Sequence, residues 1–148
     1  MVNLHLAAEG LPLEQQALDA LVAGVERALA ALGVDEAQEM ALVLGDDALL
    51  ADLNERYRGK EGPTDVLSFP ADRADALPGE APQLGAVLIS VPQAAANAAA
   101  AGHELEAELA LLAVHGLLHL LGHEDETDEG AEAMVREEVR LGVRAGGV

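Results

Sequence analysis

Residues 109–121 form an almost continuous apolar segment in which two histidines, His115 and His119, stand four positions apart. A segment that is apolar on nearly all sides predicts a helix buried at the centre of a domain. The two histidines and Gly116 make it too short and too polar to cross a membrane. Residues four apart on a helix emerge from the same face. The sequence therefore predicts a central helix that carries two imidazoles side by side.

The other hydrophobic patterns predict four strands and four further helices around this helix. Apolar patterns of strand type occur at 2–6, 39–44, 64–69 and 86–90. Helical spacing occurs at 13–32, 48–57, 92–101 and 129–141, and the central helix is predicted to run from 104 to 121. Strands interleaved with helices are typical of an α/β or α+β fold, here a four-stranded mixed sheet covered by helices.

Chain length favours one domain. The 148 residues are the size of a single domain, and 51% of them are hydrophobic, which is enough to form a core. Residues 71–84 contain three Pro and Gly residues without periodicity and predict one long loop, while 142–148 are predicted to fray. Because no segment resembles a secretory signal or a membrane-spanning helix, we expect a cytoplasmic protein with no membrane partner.

Composition excludes several classes of function. The 27 acidic residues outnumber the 8 basic ones, and the resulting net charge of −19 excludes a generally basic nucleic-acid coat. Since the chain has no cysteine, a transition metal would have to be held by histidines and carboxylates. The two aromatic residues, Tyr57 and Phe69, are too few for a module that stacks RNA bases on a sheet.

The two helical histidines predict a metal site. One histidine on an apolar helix is commonly a hydrogen-bonded core residue. Two histidines at this spacing both need partners for their ring nitrogens, and one bound cation can be the partner of both. His123 continues the same row, yet eight residues of continuous helix would separate it from His115 by about 12 Å. The third ligand must therefore follow a turn at Gly122, and its candidates are His123, Glu124 and Asp125.

The sequence lacks the residues that other hydrolytic mechanisms require. Gly116 stands where proteases of the His-Glu-x-x-His type carry their general base, so a peptidase mechanism is short of that base. The two serines, Ser68 and Ser90, lie in no nucleophile motif, and no phosphate-binding glycine loop occurs. Asp65 is expected to be a turn residue before a strand.

Three of the eight basic residues fall within five positions, at Arg56, Arg58 and Lys60. Cations of this kind suit the C-terminal end of a helix, where the helix dipole is negative. They would equally suit a phosphate group near the metal. The spacing alone leaves these two interpretations open.

Three motifs together resemble a known family. They are His115-Gly116-Leu117-Leu118-His119-Leu120-Leu121-Gly122 with Glu126-Thr127-Asp128-Glu129, Leu53-Asn54-Glu55-Arg56-Tyr57-Arg58-Gly59-Lys60, and Pro63-Thr64-Asp65-Val66-Leu67-Ser68-Phe69-Pro70. In this spacing they resemble the YbeY family of rRNA maturation endoribonucleases. The resemblance implies a small α/β domain with one zinc ion. It also implies cleavage of single-stranded rRNA in ribosome maturation and quality control, with the small ribosomal subunit as partner.

The resemblance also implies site residues. His115 and His119 match two zinc ligands of the family. The family has Tyr-Asp-His after the motif glycine, whereas this chain has His123-Glu124-Asp125, and a gap-free alignment puts Asp125 on the position of the third ligand. His123 is the alternative, because imidazole is the commoner zinc ligand.

The family's functional arginine corresponds to Arg58, which is therefore the expected catalytic residue, and the aspartate that usually follows Gly85 is replaced by Ala86. With so acidic a chain, we expect productive RNA contact mainly when the ribosomal partner presents the RNA. The sequence thus predicts a zinc-dependent endoribonuclease. The alternatives are a zinc hydrolase of another bond, such as a peptidase, and a non-enzymatic maturation factor with a structural metal.

Overall fold

The computed structural model of the chain describes residues 1–59, 64–70 and 84–144, which contain four strands and five helices. The strands are β1 (Val2–Leu6), β2 (Met40–Gly45), β3 (Val66–Pro70) and β4 (Gly85–Ser90). The helices are α1 (Gln15–Ala31), α2 (Asp47–Arg58), α3 (Val91–Ala101), α4 (Leu105–Leu120) and α5 (Asp128–Arg140). Each predicted element is present, and its ends differ from the prediction by two residues or fewer.

The strands form one mixed sheet in the order β1-β2-β4-β3. β1 pairs with β2 and β2 with β4 in parallel, while β3 pairs with β4 antiparallel at the edge. In β2 and β4 alternate side chains enter two separate hydrophobic clusters, one on each face of the sheet. Burial on both faces explains why these strands are almost continuously apolar, as parallel strands covered by helices usually are.

The helices cover the two faces unequally. The larger cluster joins α1 and α4 to the sheet and includes residues of α3 and α5. The smaller cluster lies on the other face, where Leu50 and Leu53 of α2 pack with Leu67, Phe69 and Ala86. The predicted α+β fold with a central histidine-bearing helix is confirmed, since α4 packs against α1, α3, α5 and the two strands β3 and β4.

Local signals explain where the helices begin. The side chains of Asp46, Ser90 and Thr127 accept hydrogen bonds from main-chain N–H groups in the first turns of α2, α3 and α5. The predicted loop at 71–84 falls, apart from Leu84, outside the described residues, as do 145–148. Among the described helices, none has both the length and the apolar character needed to span a bilayer.

Candidate metal centre

The C-terminal end of α4 is a tight turn that reverses the chain direction. Gly122 adopts φ 97°, a left-handed conformation that glycine adopts without steric cost. The N–H of His123 then donates to the Leu118 carbonyl at 3.0 Å, and the N–H of Gly122 donates to the His119 carbonyl at 3.1 Å. These two bonds form a Schellman motif. The turn brings the segment after Gly122 back beside the last turn of α4.

Three potential metal ligands converge at this turn. Nε2 of His115 and Nε2 of His119 are 3.2 Å apart. Oδ2 of Asp125 lies 3.6 Å from the first of these nitrogens and 3.7 Å from the second. Among the residues that the structure describes, this is the one group of three His, Cys, Asp or Glu side chains with ligand atoms close enough to share an ion.

Hydrogen bonds fix both imidazoles with Nε2 towards this common point. Nδ1 of His119 donates to the main-chain carbonyl of His123 at 3.0 Å, and Nδ1 of His115 donates to Oε2 of Glu138 at 3.3 Å. Because a carbonyl or carboxylate oxygen only accepts, the proton of each neutral ring sits on Nδ1, and the Nε2 lone pair is free.

The donor set fits a zinc ion. Zinc takes imidazole nitrogens and carboxylate oxygens at about 2.0–2.2 Å, so two tetrahedral ligands of one ion lie about 3.3 Å apart. The separations of 3.2, 3.6 and 3.7 Å among the three atoms are close to this value. The set also has the outer hydrogen bonds that zinc-bound histidines almost always make.

The three candidates for the third ligand lie differently relative to the histidine pair. Asp125 directs a carboxylate oxygen at both histidines, and its side chain is 45% exposed. The imidazole of His123 is not part of the group; this residue contacts His119 through its main-chain oxygen. Glu124, the remaining candidate, lines the cleft beside the group.

The charges around His115 favour its protonated form. Its pKa is raised above the usual histidine value, chiefly because Nδ1 is hydrogen-bonded to Glu138. Partial burial acts in the opposite direction, while the negative charges of Glu138, Asp125 and Asp65 add to the increase. The same negative charges would attract a cation at the point that the three ligand atoms share.

The three residues line an open cleft of about 390 Å³ at the edge of β3. Its described lining holds four carboxylates and one cation, which are Asp65, Glu124, Asp125, Glu126 and Arg58. Arg58 is the last residue of α2 and reaches the same cleft as the metal group. Arg56 instead forms an exposed ion pair with Asp52 at 3.2 Å and lies over the Tyr57 ring. Lys60, the third member of the predicted cluster, lies outside the described residues.

Sequence reasoning missed several residues of the site. Asp65, expected only as a turn residue, lines the cleft and accepts a hydrogen bond from the Asn97 amide at 3.1 Å. The Ser68 hydroxyl donates to the Gly116 carbonyl at 2.9 Å and so ties β3 to α4. Glu138 contacts His115 from a helix that begins after the ligand turn. Asp65 and Ser68 lie in the motif 63–70, but the motif does not show that their side chains face the histidines, and Glu138 lies in none of the three motifs. Alternation along β3 could have put Ser68 on the α4 side of the sheet.

Close packing between α4 and the sheet explains the glycine at position 116. A Cβ atom built on it would lie 2.5 Å from Cγ1 of Val87 and 3.1 Å from the Ser68 hydroxyl oxygen. Only a residue without a side chain lets α4 approach the sheet this closely at the histidine pair. Ala86, which replaces the usual aspartate of the resembled family, is fully buried in the cluster on the α2 face.

Comparison with known proteins gives a consistent result. The family model described as Endoribonuclease YbeY matches residues 6–145. The Endoribonuclease YbeY of Moorella thermoacetica is 46% identical over 129 residues, which cover 83% of each chain. The protein of that name from Gloeobacter violaceus is 51% identical over 108 residues, or 71% of this chain and 56% of that protein.

A solved structure has the same fold. The solution structure of TM1509 from Thermotoga maritima aligns with a TM-score of 0.64 over 95% of this chain and 86% of that one. The two sequences are 23% identical, so this similarity supports the α+β architecture alone.

Proposed function

The chain belongs to the YbeY family of endoribonucleases, and from this premise we propose that it is a zinc-dependent endoribonuclease that cuts single-stranded ribosomal RNA. The proposal includes a cytoplasmic role in rRNA maturation and ribosome quality control, with the small ribosomal subunit as partner. The metal ligands in this proposal are His115, His119 and Asp125, and Arg58 is the catalytic residue.

One observation carries the proposal: the three ligand atoms and the Arg58 side chain share a single open cleft. A metal group alone would suit many hydrolases, and a lone arginine would suit any anion. A phosphodiester needs both, because negative charge develops on its oxygens during cleavage and must be stabilised where it forms. When bound, a zinc ion would supply Lewis-acid polarisation of a phosphoryl oxygen and activation of a water molecule.

The protein's own residues have separate tasks in this mechanism. His115, His119 and Asp125 hold the ion at one wall of the cleft, with both imidazoles oriented by their Nδ1 hydrogen bonds. Arg58 binds a phosphate oxygen through its guanidinium group and stabilises the charge that develops there. Because the cleft opens to solvent beside the edge strand β3, an extended single strand has access to it.

Charge determines how RNA reaches the cleft. Net charge is −19, and four carboxylates surround the one described cation in the cleft. Such a field repels a free polyanion at a distance. Delivery of the RNA strand by a ribosomal partner would overcome this repulsion, which supports the small subunit as the place of action.

Packing at Gly116 argues against the peptidase alternative. A glutamate at this position, as in the His-Glu-x-x-His proteases, would collide with Val87. Within the described residues three side chains can share the ion, and Asp125 is 45% exposed. This arrangement argues against a purely structural metal, because structural zinc sites are closed by four protein ligands while catalytic sites keep one position open.

Purified protein tested on three substrates separates these functions. We expect single-stranded rRNA fragments to be cut in the presence of zinc, and a fully paired RNA duplex and unstructured peptides to stay intact. A His115→Ala/His119→Ala variant purified in parallel controls for contaminating nucleases. Equal cleavage by parent and variant, or cleavage of peptides alone, would contradict the proposal.

A further inference from the structure

Glu138 is a carboxylate buried in the interior beneath the metal group. Its side chain on α5 is 1% exposed, and both of its oxygens are engaged. Oε2 accepts from Nδ1 of His115 at 3.3 Å, and Oε1 accepts from the Arg144 guanidinium at 3.3 Å. An isolated buried carboxylate is costly, so its charge must be balanced by these two contacts.

The chain after α5 turns back to bring Arg144 to Glu138. Gly142 adopts φ 80°, which glycine tolerates and other residues rarely adopt. The N–H of Val143 donates to the main-chain oxygen of Glu138 at 3.1 Å. The Arg144 side chain, 40% exposed, thus reaches over the end of the helix to the buried oxygen.

A neighbouring pair on the same helix shows what an ordinary ion pair looks like here. Arg140 contacts Oε2 of Glu137 at 2.7 Å; the Arg140 side chain is exposed and that of Glu137 is half-buried. This pair has the same residue types, with Glu137 one position before Glu138 and Arg140 four positions before Arg144, yet it contacts neither His115 nor His119. The buried position of Glu138 and its bond to His115 therefore call for a separate explanation.

We propose that Glu138 and Arg144 form a positioning pair for the metal centre: Glu138 holds the proton of His115 on Nδ1 and aims Nε2 at the ion, and Arg144 holds the Glu138 side chain in place through its contact with Oε1. The proposal rests on the proposed function insofar as it concerns a bound metal. Neither residue touches the ion or the RNA, so both act through His115. The C-terminal turn of the described chain thereby becomes part of the metal site.

Outer carboxylates of this kind fix the ring orientation and tautomer of a ligand histidine and increase its basicity. Without an acceptor at Nδ1, a neutral imidazole is free to carry its proton on either nitrogen, and a His115 ring protonated on Nε2 has no lone pair on the nitrogen that faces the ion. Loss of Glu138 should therefore weaken metal binding even though all three ligands remain.

The test compares Glu138→Met with Glu137→Met in the metal-stripped full chain. Zinc affinity is measured by competition with a chromophoric chelator, and the His115 tautomer by two-bond ¹H–¹⁵N correlations in the metal-free protein. We expect Glu138→Met to bind zinc about 10- to 100-fold more weakly and to shift the neutral His115 ring towards the Nε2–H form. Glu137→Met should match the parent in both measurements.

Three further variants and one control keep the test decisive. Removing one member of a buried ion pair usually destabilises a protein. Should Glu138→Met fail to fold, Glu138→Gln takes its place: the amide keeps one acceptor oxygen without the charge, so we expect smaller changes in the same direction in zinc affinity and in the His115 tautomer. Arg144→Met should weaken zinc binding by a smaller factor, with Arg140→Met as its unaffected control. Arg144→Lys should recover part of the loss.

The outcomes distinguish this inference from the proposed function. If the parent binds no zinc, the proposed function fails, and the tautomer measurement alone decides the role of Glu138. An unchanged tautomer with zinc affinity equal to that of Glu137→Met overturns the positioning pair, even if Glu138→Met is less stable towards urea. Such a result would make Glu138 a packing residue only.

Discussion

The two ends of α4 each carry a histidine bound to a buried glutamate, and they differ in where the partners come from. Before the first turn, Nε2 of His103 contacts Oε1 of Glu108 at 2.7 Å, five residues away on the chain. At the other end, His115 contacts Glu138, which is 23 residues away on α5. His103 has its contact within one chain segment, whereas His115 is held between two helices and faces His119 and Asp125 with its second nitrogen.

The comparison shows which histidine contacts indicate a site. The local contact between His103 and Glu108 satisfies polar groups at one helix end, and it brings no further side chain among the described residues close enough to share a ligand with His103. At the C-terminal end, segments distant in sequence converge, and each imidazole uses Nδ1 for the protein and keeps Nε2 for a common point. A histidine that is oriented from one side and left open on the other is prepared for a cation.

The largest expected effect is on metal content. Purified parent protein should contain about one zinc ion per chain, and His115→Ala/His119→Ala should contain none, because two of three ligands are lost. His103→Ala, at the other end of the same helix, should retain the parent's content. Elemental analysis of the three proteins checks this, and a double variant with full metal content would remove the basis of the site.

The third ligand is tested by comparing its two candidates. Asp125→Ala should weaken zinc binding more than about 100-fold, since loss even of an outer partner costs about 10- to 100-fold. His123→Ala should change it little, because His123 contributes a main-chain oxygen. Asp125→His should keep the metal and move the activity optimum to lower pH, because an imidazole leaves more positive charge at the site. Weaker binding in His123→Ala alone would reverse the assignment.

Arginine substitutions show whether the cleft at the C-terminal end of α4 is where RNA is cut. Arg58→Glu should reduce cleavage at least about tenfold, which corresponds to about 1.4 kcal/mol of transition-state stabilisation. Arg56→Glu is the matched control, because Arg56 pairs with Asp52 and is not among the residues that line the cleft. Initial rates on a single-stranded RNA fragment measure both. A larger loss in Arg56→Glu would identify the other arginine as the functional one.

The smallest expected effect is on stability as a function of pH in the metal-free protein. Since the pKa of His115 is raised in the folded chain, the native state keeps a proton that the unfolded state releases above pH about 6.5. This contribution to the unfolding free energy is complete below that pH and is lost as the pH rises through the folded-state pKa.

Glu138→Gln removes the carboxylate charge and leaves only a neutral acceptor for Nδ1 of His115, so it weakens the main cause of the raised pKa and should flatten this decline, while Glu137→Gln should not. Urea unfolding at about pH 6 and about pH 9 provides the measurement. If the free energy of unfolding falls equally between these two pH values in the parent and in Glu138→Gln, a group other than His115 dominates this pH range.

The sequence predicted those parts of the molecule that depend on local patterns. Apolar periodicity and glycines located every strand and helix of the described residues to within two residues, because burial repeats with the period of each element and glycines mark helix ends. The histidine pair on α4 was predictable for the same reason, since a spacing of four is a local property of a helix.

Contacts between distant segments were harder to predict. Geometry alone left His123, Glu124 and Asp125 open, and the choice among them depends on how the chain continues after the Gly122 turn. The contact of Glu138 with His115 joins two separate helices, and the apolar pattern of each helix does not show which residues of the other it will meet. Asp65 belongs to the cleft only because β3 lies at the sheet edge beside α4.

The close approach of α4 to the sheet at Gly116 restricts how this chemistry could evolve. A change to the His-Glu-x-x-His pattern requires a side chain where the first carbon alone would lie 2.5 Å from Val87. Overpacking of this kind costs about 1–3 kcal/mol, and shrinking Val87 first would leave a cavity in the core. Either order of substitutions passes through a less stable intermediate. The backbone that brings the two histidines together thus separates this candidate metal centre from the protease type by at least two coupled mutations.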